Sequence, residues 1–490
     1  MGNAVKLGDE EDPKKSPSVV VVEIQKVDES LQHPVLPRQQ GLWISRGTLQ
    51  QRWCFPKTRR GKIIVWIFVL AFAMLLLLCC LLVFFLGSHA SPASNQAGGV
   101  TCVVKAASNG RDSAKVIRDA FRTCGKAKSG QRNRIVFENT TYTIASVLDT
   151  TGLKDVDIEL HGTLSWNNSN LNYWLENSLP MGYQNQSTAW RLGGDGITFQ
   201  GYGSGTFNGN GDAWYRFING RSNYPRRPHQ LTITGTTNSV FEGLIFLQSQ
   251  MWTMTVIHSS NVLLQDIYVN NTSKTGAPTV NTDGADTIFA NNITFRRWTV
   301  DNGDDAISPK ANSTNILIED SAFYRGSGIA LGSIGQYDDT FETIQNVTCR
   351  NITSHRTKYG AYIKTWTGVN KGYPPNGGGG GYGYASNLTF EDFRLIDVQK
   401  AFSSDCDTSK FNIHDVYLSD FSGTIRGDVV TTLQCSTASP CRNIQLLDVA
   451  VINSSNNTTP RQYQCDSVKR TVGFNCTGPP DGEDNAFKKL

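Results

Sequence analysis

The sequence predicts an all-β fold, a right-handed parallel β-helix (a solenoid), preceded by one transmembrane helix. Three observations carry that prediction. Short runs of alternating apolar residues recur, each opened by an asparagine: NSVFEGLIFL from Asn238, NVLLQDIYV from Asn261, NITFRRWTV from Asn292, NILIEDSAF from Asn315, NLTFEDFRL from Asn387 and NIQLLDVAV from Asn443. Their starts step by 23, 31 and 23 residues, then by 72 across weaker copies, then by 56; a period of about 20–30 residues is that of a solenoid. Ahead of the repeats stands one long uncharged apolar run, Ile63 to Leu86.

Residues 1–62 come first and read as a disordered cytoplasmic tail with little periodicity. They hold 11 Lys+Arg and 7 Asp+Glu; subtracted from the totals of 46 and 42, this leaves 35 of each sign in the rest of the chain. A formally neutral folded part argues against a nucleic-acid partner.

Residues 63–86 (IIVWIFVLAFAMLLLLCCLLVFFL) are 24 residues without a charge. As a helix they would be about 36 Å long, enough for a hydrocarbon core of about 30 Å and longer than a signal-peptide core of about 7–15 residues. Lys57, Arg59, Arg60 and Lys62 precede the run and GSHA follows it. Positive charge stays inside, so the expectation is a single-pass type II protein anchored in the lipid bilayer, with its C-terminal part extracellular. Cleavage near residues 88–93 would release a secreted form.

After a linker, 87–98, residues 99–478 are expected to form the β-helix, and 479–490 a C-terminal tail. An asparagine followed by an aliphatic residue suits a turn whose side-chain amides stack from coil to coil, about 4.8 Å apart. No coil buries its apolar face alone. A β-sandwich is the runner-up, but the runs lack Asn-Gly hairpin turns. Eight cysteines follow the apolar run, an even number suited to an oxidising compartment. Local spacing suggests Cys102–Cys124, Cys435–Cys441 and Cys465–Cys476, with Cys349 and Cys406 a doubtful fourth pair. None shows metal-site spacing. Sequons at Asn139, Asn185, Asn271, Asn292, Asn312, Asn346, Asn351, Asn387 and Asn475 suit a glycosylated exterior. A monomer is expected.

Chemistry-bearing residues then fall one coil apart. Asp283 lies in NTDG, Asp304 and Asp305 in DNGDDAIS, Ser327 in GSGIALGSIGQY and Lys364 in AYIKTW. From Asp283 to Asp304 is 21 residues, from Asp304 to Ser327 is 23, and from Ser327 to Lys364 is 37. Coil spacing puts these side chains in one column beside a groove. Three acids gathered there would raise at least one pKa, giving the protonated acid and the ionised base that glycoside hydrolysis requires.

In order and spacing, NTDG, GDD, a G-x-G turn running into GSIGQ, and a Lys-bearing IK strand resemble the polygalacturonase-type glycoside hydrolases of family 28, over residues 100–478. The resemblance implies a right-handed parallel β-helix, hydrolysis of pectic polysaccharide or oligosaccharide with inversion, and no metal or other cofactor. It implies Asp304 as general acid and Asp283 with Asp305 as holders of the attacking water. It implies substrate contacts from Lys364, Tyr362, Ser327, Asn281 and Tyr337. Two positions depart from the family pattern: Ser327 stands where a His is usual, and Tyr362 where an Arg is. Losing the Arg of an Arg–Lys carboxylate clamp points away from plain endo-polygalacturonase activity. YIKTW, followed by GYPPNGGGGGYGY (372–384), is similar to fungal exo-acting galacturonan and rhamnogalacturonan hydrolases and their α-L-rhamnosidase relatives. The leading expectation is exo-galacturonidase, with α-L-rhamnosidase as its alternative; a β-helix that binds cell wall without cleaving it is the reading from another class. The Gly-rich stretch is expected to be a flexible loop walling the groove, with Trp366, Tyr382 and Tyr384 stacking on sugars.

Overall fold

The structure, a computed structural model, describes residues 99–372, 377–405 and 408–480. These belong to one unit, Ala93–Leu490. The expected tail and anchor, 1–86, lie outside the described residues, as do the whole linker, 87–98, and 481–490. Among the described residues no helix is long and apolar enough to cross a membrane.

After a first strand, an amphipathic helix, α1 (Ala114–Cys124), buries Ala114, Ile117, Phe121 and Cys124. That spacing is one helical face, and Cys102–Cys124 ties its end to the strand Thr101–Val104. A 28-stranded sheet then winds through the chain, and its pairings are parallel. One column of this sheet comprises β1 (Leu231–Thr234), β2 (Met254–Ile257), β3 (Ala285–Ile288), β4 (Asp305–Pro309), β5 (Gly328–Ile334), β6 (Tyr359–Thr365), β7 (Lys400–Asp405) and β8 (Val429–Gln434). The register runs Met254 to Ala285, Ala285 to Ile307, Ile307 to Ile329, Ile329 to Ala361 and Ala361 to Phe402. This column carries the site. Parallel neighbours need a crossover between them, and here the crossover is the rest of each coil.

The asparagines form the expected ladder. Asn261 Nδ2 donates to Asn238 Oδ1 at 3.2 Å, Asn292 to Asn261 at 2.9 Å, Asn346 to Asn315 at 2.9 Å and Asn387 to Asn346 at 2.8 Å. Each sits at a positive φ, between 49° and 56°, where asparagine is the best-tolerated residue after glycine. Two rungs escape the sequence pattern. The 72-residue step divides at Asn346, and the 56-residue step at Asp415, whose carboxylate accepts from Asn443.

The residue after each rung turns inward. Ile293, Ile316, Val347, Leu388, Val416 and Ile444 pair in register as one buried column, each contributing about 1.5–3 kcal/mol by burial. A second column runs Phe295, Ile318, Cys349, Phe390, Leu418. Cys349 therefore faces the core, and its thiol is free and buried. That removes it from the doubtful fourth pair, whose other member, Cys406, lies outside the described residues. The three local disulfides are present. Asn271 departs from the expectation of a surface sequon: it is fully buried, its amide on Thr253 Oγ1 and the Thr282 carbonyl.

Candidate active site

Each acid stands where a coil turns into the site column. Asp283 precedes β3, Asp304 precedes β4, and Asp305 is the first residue of β4. The two turns interlock. Gly284 N donates to the Asp305 carbonyl at 3.0 Å, Asn302 Nδ2 to the Thr282 and Asp305 carbonyls, and Gly303 N to Thr282 Oγ1. The interlock requires glycine: a Cβ on Gly303 would lie 2.1 Å from Thr279 Oγ1, and one on Gly284 2.3 Å from the Ala306 carbonyl. So NTDG and GDD fix one another, and one oxygen from each of Asp283, Asp304 and Asp305 lies within 4.8 Å of the others.

The three acids differ in their partners. Asp305 is buried, with Tyr362 Oη donating to Oδ1 and Lys364 Nζ to Oδ2 at 2.9 Å. Burial pushes its pKa up, but Lys364, Lys310 and the Tyr362 hydroxyl outweigh burial and hold it below the usual value. Asp304 is half-buried and accepts backbone N–H bonds from Asn281 and from Asp305, both at 2.9 Å. Burial and the neighbouring Asp305 raise it. Asp283 is buried with Oδ1 lacking a hydrogen-bond partner among the described residues. Burial, then Asp304, Asp286 and Asp305, lift it well above the ordinary carboxyl range. Burial works against the Lys364 ammonium, but Asp305 keeps it well above its usual value. The cluster thus pairs one firmly ionised carboxylate with two that compete for a proton, the separation acid–base hydrolysis needs.

A cavity of about 210 Å³ opens over the cluster. Of the residues expected in the site, Asp283, Asp304, Asp305, Asn281, Ser327, Tyr362 and Lys364 line it, as does Trp366. Tyr337 does not. Its hydroxyl accepts from the Gln184 N–H at 2.9 Å and its ring packs edge-on against Tyr183, which places it in a neighbouring cavity. Tyr382 and Tyr384 are held away from the cluster by edge-on packing against Phe341. The described part of the Gly-rich stretch is pinned rather than free: Gly379, Gly380 and Gly381 donate to the carbonyls of Gln336, Thr367 and Gly335.

Gln184, Trp252, Lys310, Lys358 and Tyr359 also line the cavity and were missed by sequence reasoning. Gln184 arrives on a strap, 179–188, that carries no repeat signature. A signal existed for the charge beneath the site: Asp286 follows Asp283 by three residues, an acid in an otherwise uncharged strand.

The family described as Glycosyl hydrolases family 28 matches residues 132–476. The chain is 48% identical over 404 residues to alpha-L-rhamnosidase rgxB of Aspergillus niger, covering 80% of this chain and 93% of that one. It is 36% identical over 408 residues to the putative galacturan 1,4-alpha-galacturonidase A of Aspergillus niger, covering 76% and 92%. The crystal structure of endo-xylogalacturonan hydrolase from Aspergillus tubingensis superposes with a TM-score of 0.67 at 25% identity, over 78% of this chain and all of that one.

Proposed function

The chain belongs to glycosyl hydrolases family 28, an O-glycosyl hydrolase, and from that premise we propose that it removes terminal α-L-rhamnose from pectic oligosaccharides. One observation carries the choice of sugar. At the position where the family pattern has an arginine stands Tyr362, whose hydroxyl is engaged by Asp305, as is the Lys364 ammonium. A guanidinium–ammonium pair clamps a sugar carboxylate; a phenol committed to a carboxylate does not, and suits an uncharged sugar. The likeness to an α-L-rhamnosidase supports the same reading.

In this reading Asp304, one of the two raised acids and the half-exposed one, gives its proton to the glycosidic oxygen as the bond from C1 breaks. A water held by Asp283 and Asp305 attacks C1 from the opposite face and gives up a proton to them, inverting the anomeric centre. Carboxyl groups of inverting enzymes usually stand about 6.5–9.5 Å apart, and the oxygens here, within 4.8 Å of one another, are closer.

Exo action is supported by the strap 179–188. It leaves the chain just before the coil at Trp190, yet Gln184 Nε2 reaches Gln336 Oε1 at 3.1 Å and Gln336 Nε2 reaches Tyr183 Oη at 2.7 Å. The strap thus passes several coils and brings Gln184 into the lining of the cavity. Attachment through residues 63–86, with this domain outside the cell, completes the proposal and rests on the sequence.

A second reading, release of galacturonate, is favoured by Lys310 and Lys364 lining the cavity. Chromatography of products from oligosaccharides ending in rhamnose or in galacturonate separates the two. Free rhamnose alone supports the proposal, free galacturonic acid alone supports the second reading, and no free sugar supports a binding β-helix.

A further inference from the structure

Beneath the three aspartates lies a second tier of charge that hydrolysis does not consume. Asp286, on β3, is fully buried, and Lys310 Nζ stands 3.1 Å from its Oδ1. Neither Asp286 oxygen has another hydrogen-bond donor among the described residues. The ammonium, itself buried, also donates to Ser308 Oγ at 3.0 Å and to the Gly332 carbonyl at 2.9 Å, and lies 4.8 Å from the centre of the Trp252 ring. It is therefore held from four sides at the end of β4, and Lys310 and Trp252 line the same cavity as Asp283 and Asp305.

A buried ion pair adds little to stability, because desolvating both charges cancels most of their attraction. The placement of this one suggests what it does instead. Two carboxylates that must both carry charge beside one water repel each other unless a fixed positive charge lies close by. Lys364 serves Asp305 from above, through the hydrogen bond already described. Asp283 has no such partner of its own among the described residues. We propose that Lys310, locked by Asp286, is a positioning residue for the hydrolytic carboxylates: its immobile positive charge under the cluster helps keep Asp305 negative and opposes protonation of Asp283 while they hold the attacking water. This rests on the reading of the cluster as a hydrolytic centre.

The other charged groups facing the cluster among the described residues are Asp304, Lys364, Lys358, which lines the same cavity, and Arg227, whose guanidinium is buried behind the NTDG turn and donates to the Val280 carbonyl at 2.9 Å. His229 packs against the Trp252 ring, 4.4 Å between centres, and burial pushes its pKa down to about 3, so it stays neutral. The direction of the field agrees with the geometry. Lys310 lowers both Asp283 and Asp305; on Asp283 the upward push of Asp286, itself raised by burial to about 7, is the larger, so the effect of Lys310 is clearest on Asp305.

The test is the pH profile of kcat/KM for the full chain on the oligosaccharide it cleaves, in Lys310→Met, Lys310→Arg and the double variant Asp286→Asn, Lys310→Met. Loss of the charge is expected to move the acidic limb, where the water-holding carboxylates ionise, upward by about one pH unit or more. It should lower kcat in the acid range and leave KM nearly unchanged. Lys310→Arg should return the limb toward its wild-type position. The double variant leaves no buried unpaired carboxylate; because it also removes the upward push of Asp286 on Asp283, its limb should shift upward by less, through Asp305, and it decides the question if Lys310→Met fails to fold. A uniform loss of kcat across the pH range, with the limb in place in the variants that fold, overturns the proposal. If the wild-type chain releases no sugar, the functional reading fails separately. Titration of the 13C-labelled aspartate carboxyls in the wild type and the double variant then reads Asp305, which Lys310 lowers: an upward shift of its curve supports the proposal, and coincident curves overturn it.

Discussion

Tyr362 donates its hydroxyl hydrogen to Asp305 Oδ1, across 57 residues of sequence and from a different coil. The phenol is buried beside Lys364, whose ammonium lies 5.3 Å from its ring centre. Asp305 thereby has both oxygens occupied, and its neighbours Asp283 and Asp304 are left to share what proton the cluster retains.

Removing that hydroxyl leaves a buried carboxylate oxygen short of a donor. A hydrogen bond to a charged group contributes about 1.5–3 kcal/mol, so Tyr362→Phe is expected to lower kcat/KM by about ten- to a hundredfold. Its acidic limb should move upward, because the hydroxyl helps hold Asp305 ionised. Tyr362→Arg should go further and admit a carboxylate, increasing galacturonate release relative to rhamnose release. Steady-state kinetics on the two oligosaccharides check both.

Asp304→Asn removes the proposed acid while keeping the side chain's shape; its single amide oxygen can accept one of the two N–H bonds, which go to Oδ2 and Oδ1 separately. Turnover of a natural oligosaccharide is expected to fall by about 10²–10⁴-fold, the usual worth of general acid catalysis. An aryl glycoside with a good leaving group needs less protonation and should lose much less. Equal losses on both substrates would remove Asp304 from the acid's role.

The same carboxyls make stability depend on pH in opposite directions. Asp283 is raised above its ordinary 3.8, so its contribution is complete below that value and is lost as pH rises through the folded-state pKa. Asp305 is lowered, so its contribution is present above 3.8 and is lost as pH falls through the folded-state pKa. Asp283→Asn is therefore expected to melt above the wild type at about pH 7.5, with the gap closing toward about pH 4. Asp305→Asn, which strands Lys364, should melt below it at neutral pH. Thermal unfolding at the two pH values reads both signs.

The ladder gives a prediction remote from the site. Asn315 donates to Asn291 at 2.8 Å and accepts from Asn346 at 2.9 Å, at a φ of 55°. Asn315→Ala loses two hydrogen bonds of about 0.5–1.5 kcal/mol each and adds backbone strain of about 1 kcal/mol. Asn315→Gly loses the bonds but not the conformation, so it should melt between the wild type and Asn315→Ala.

The ladder and the column of acids were legible in the sequence because a solenoid turns sequence spacing into spatial register. Asn238, Asn261 and Asn292 announce their rungs, and Asp283 and Asp304 lie one coil apart. What stayed hidden came from elements that break the period. Gln184 reaches the cavity on a strap outside the repeats, and Tyr337 is drawn out of the site by that strap's backbone. The two long gaps in the asparagine pattern had a simpler cause: Asn346 and Asp415 occupy the rungs there, the first at a step lengthened by insertion and the second with a carboxylate in place of the amide. Cys349 looked like half of a disulfide in a sequence rich in pairs, whereas its rung between Ile318 and Phe390 assigns it to the core.

The most direct test of the account is a 1H NMR time course of the wild-type chain with a rhamnose-terminated pectic oligosaccharide. It reports at once which sugar leaves and in which configuration. The account predicts free rhamnose appearing first as the inverted anomer, before mutarotation. Rhamnose appearing first as the retained anomer, from carboxylates this close together, would contradict a water held between Asp283 and Asp305.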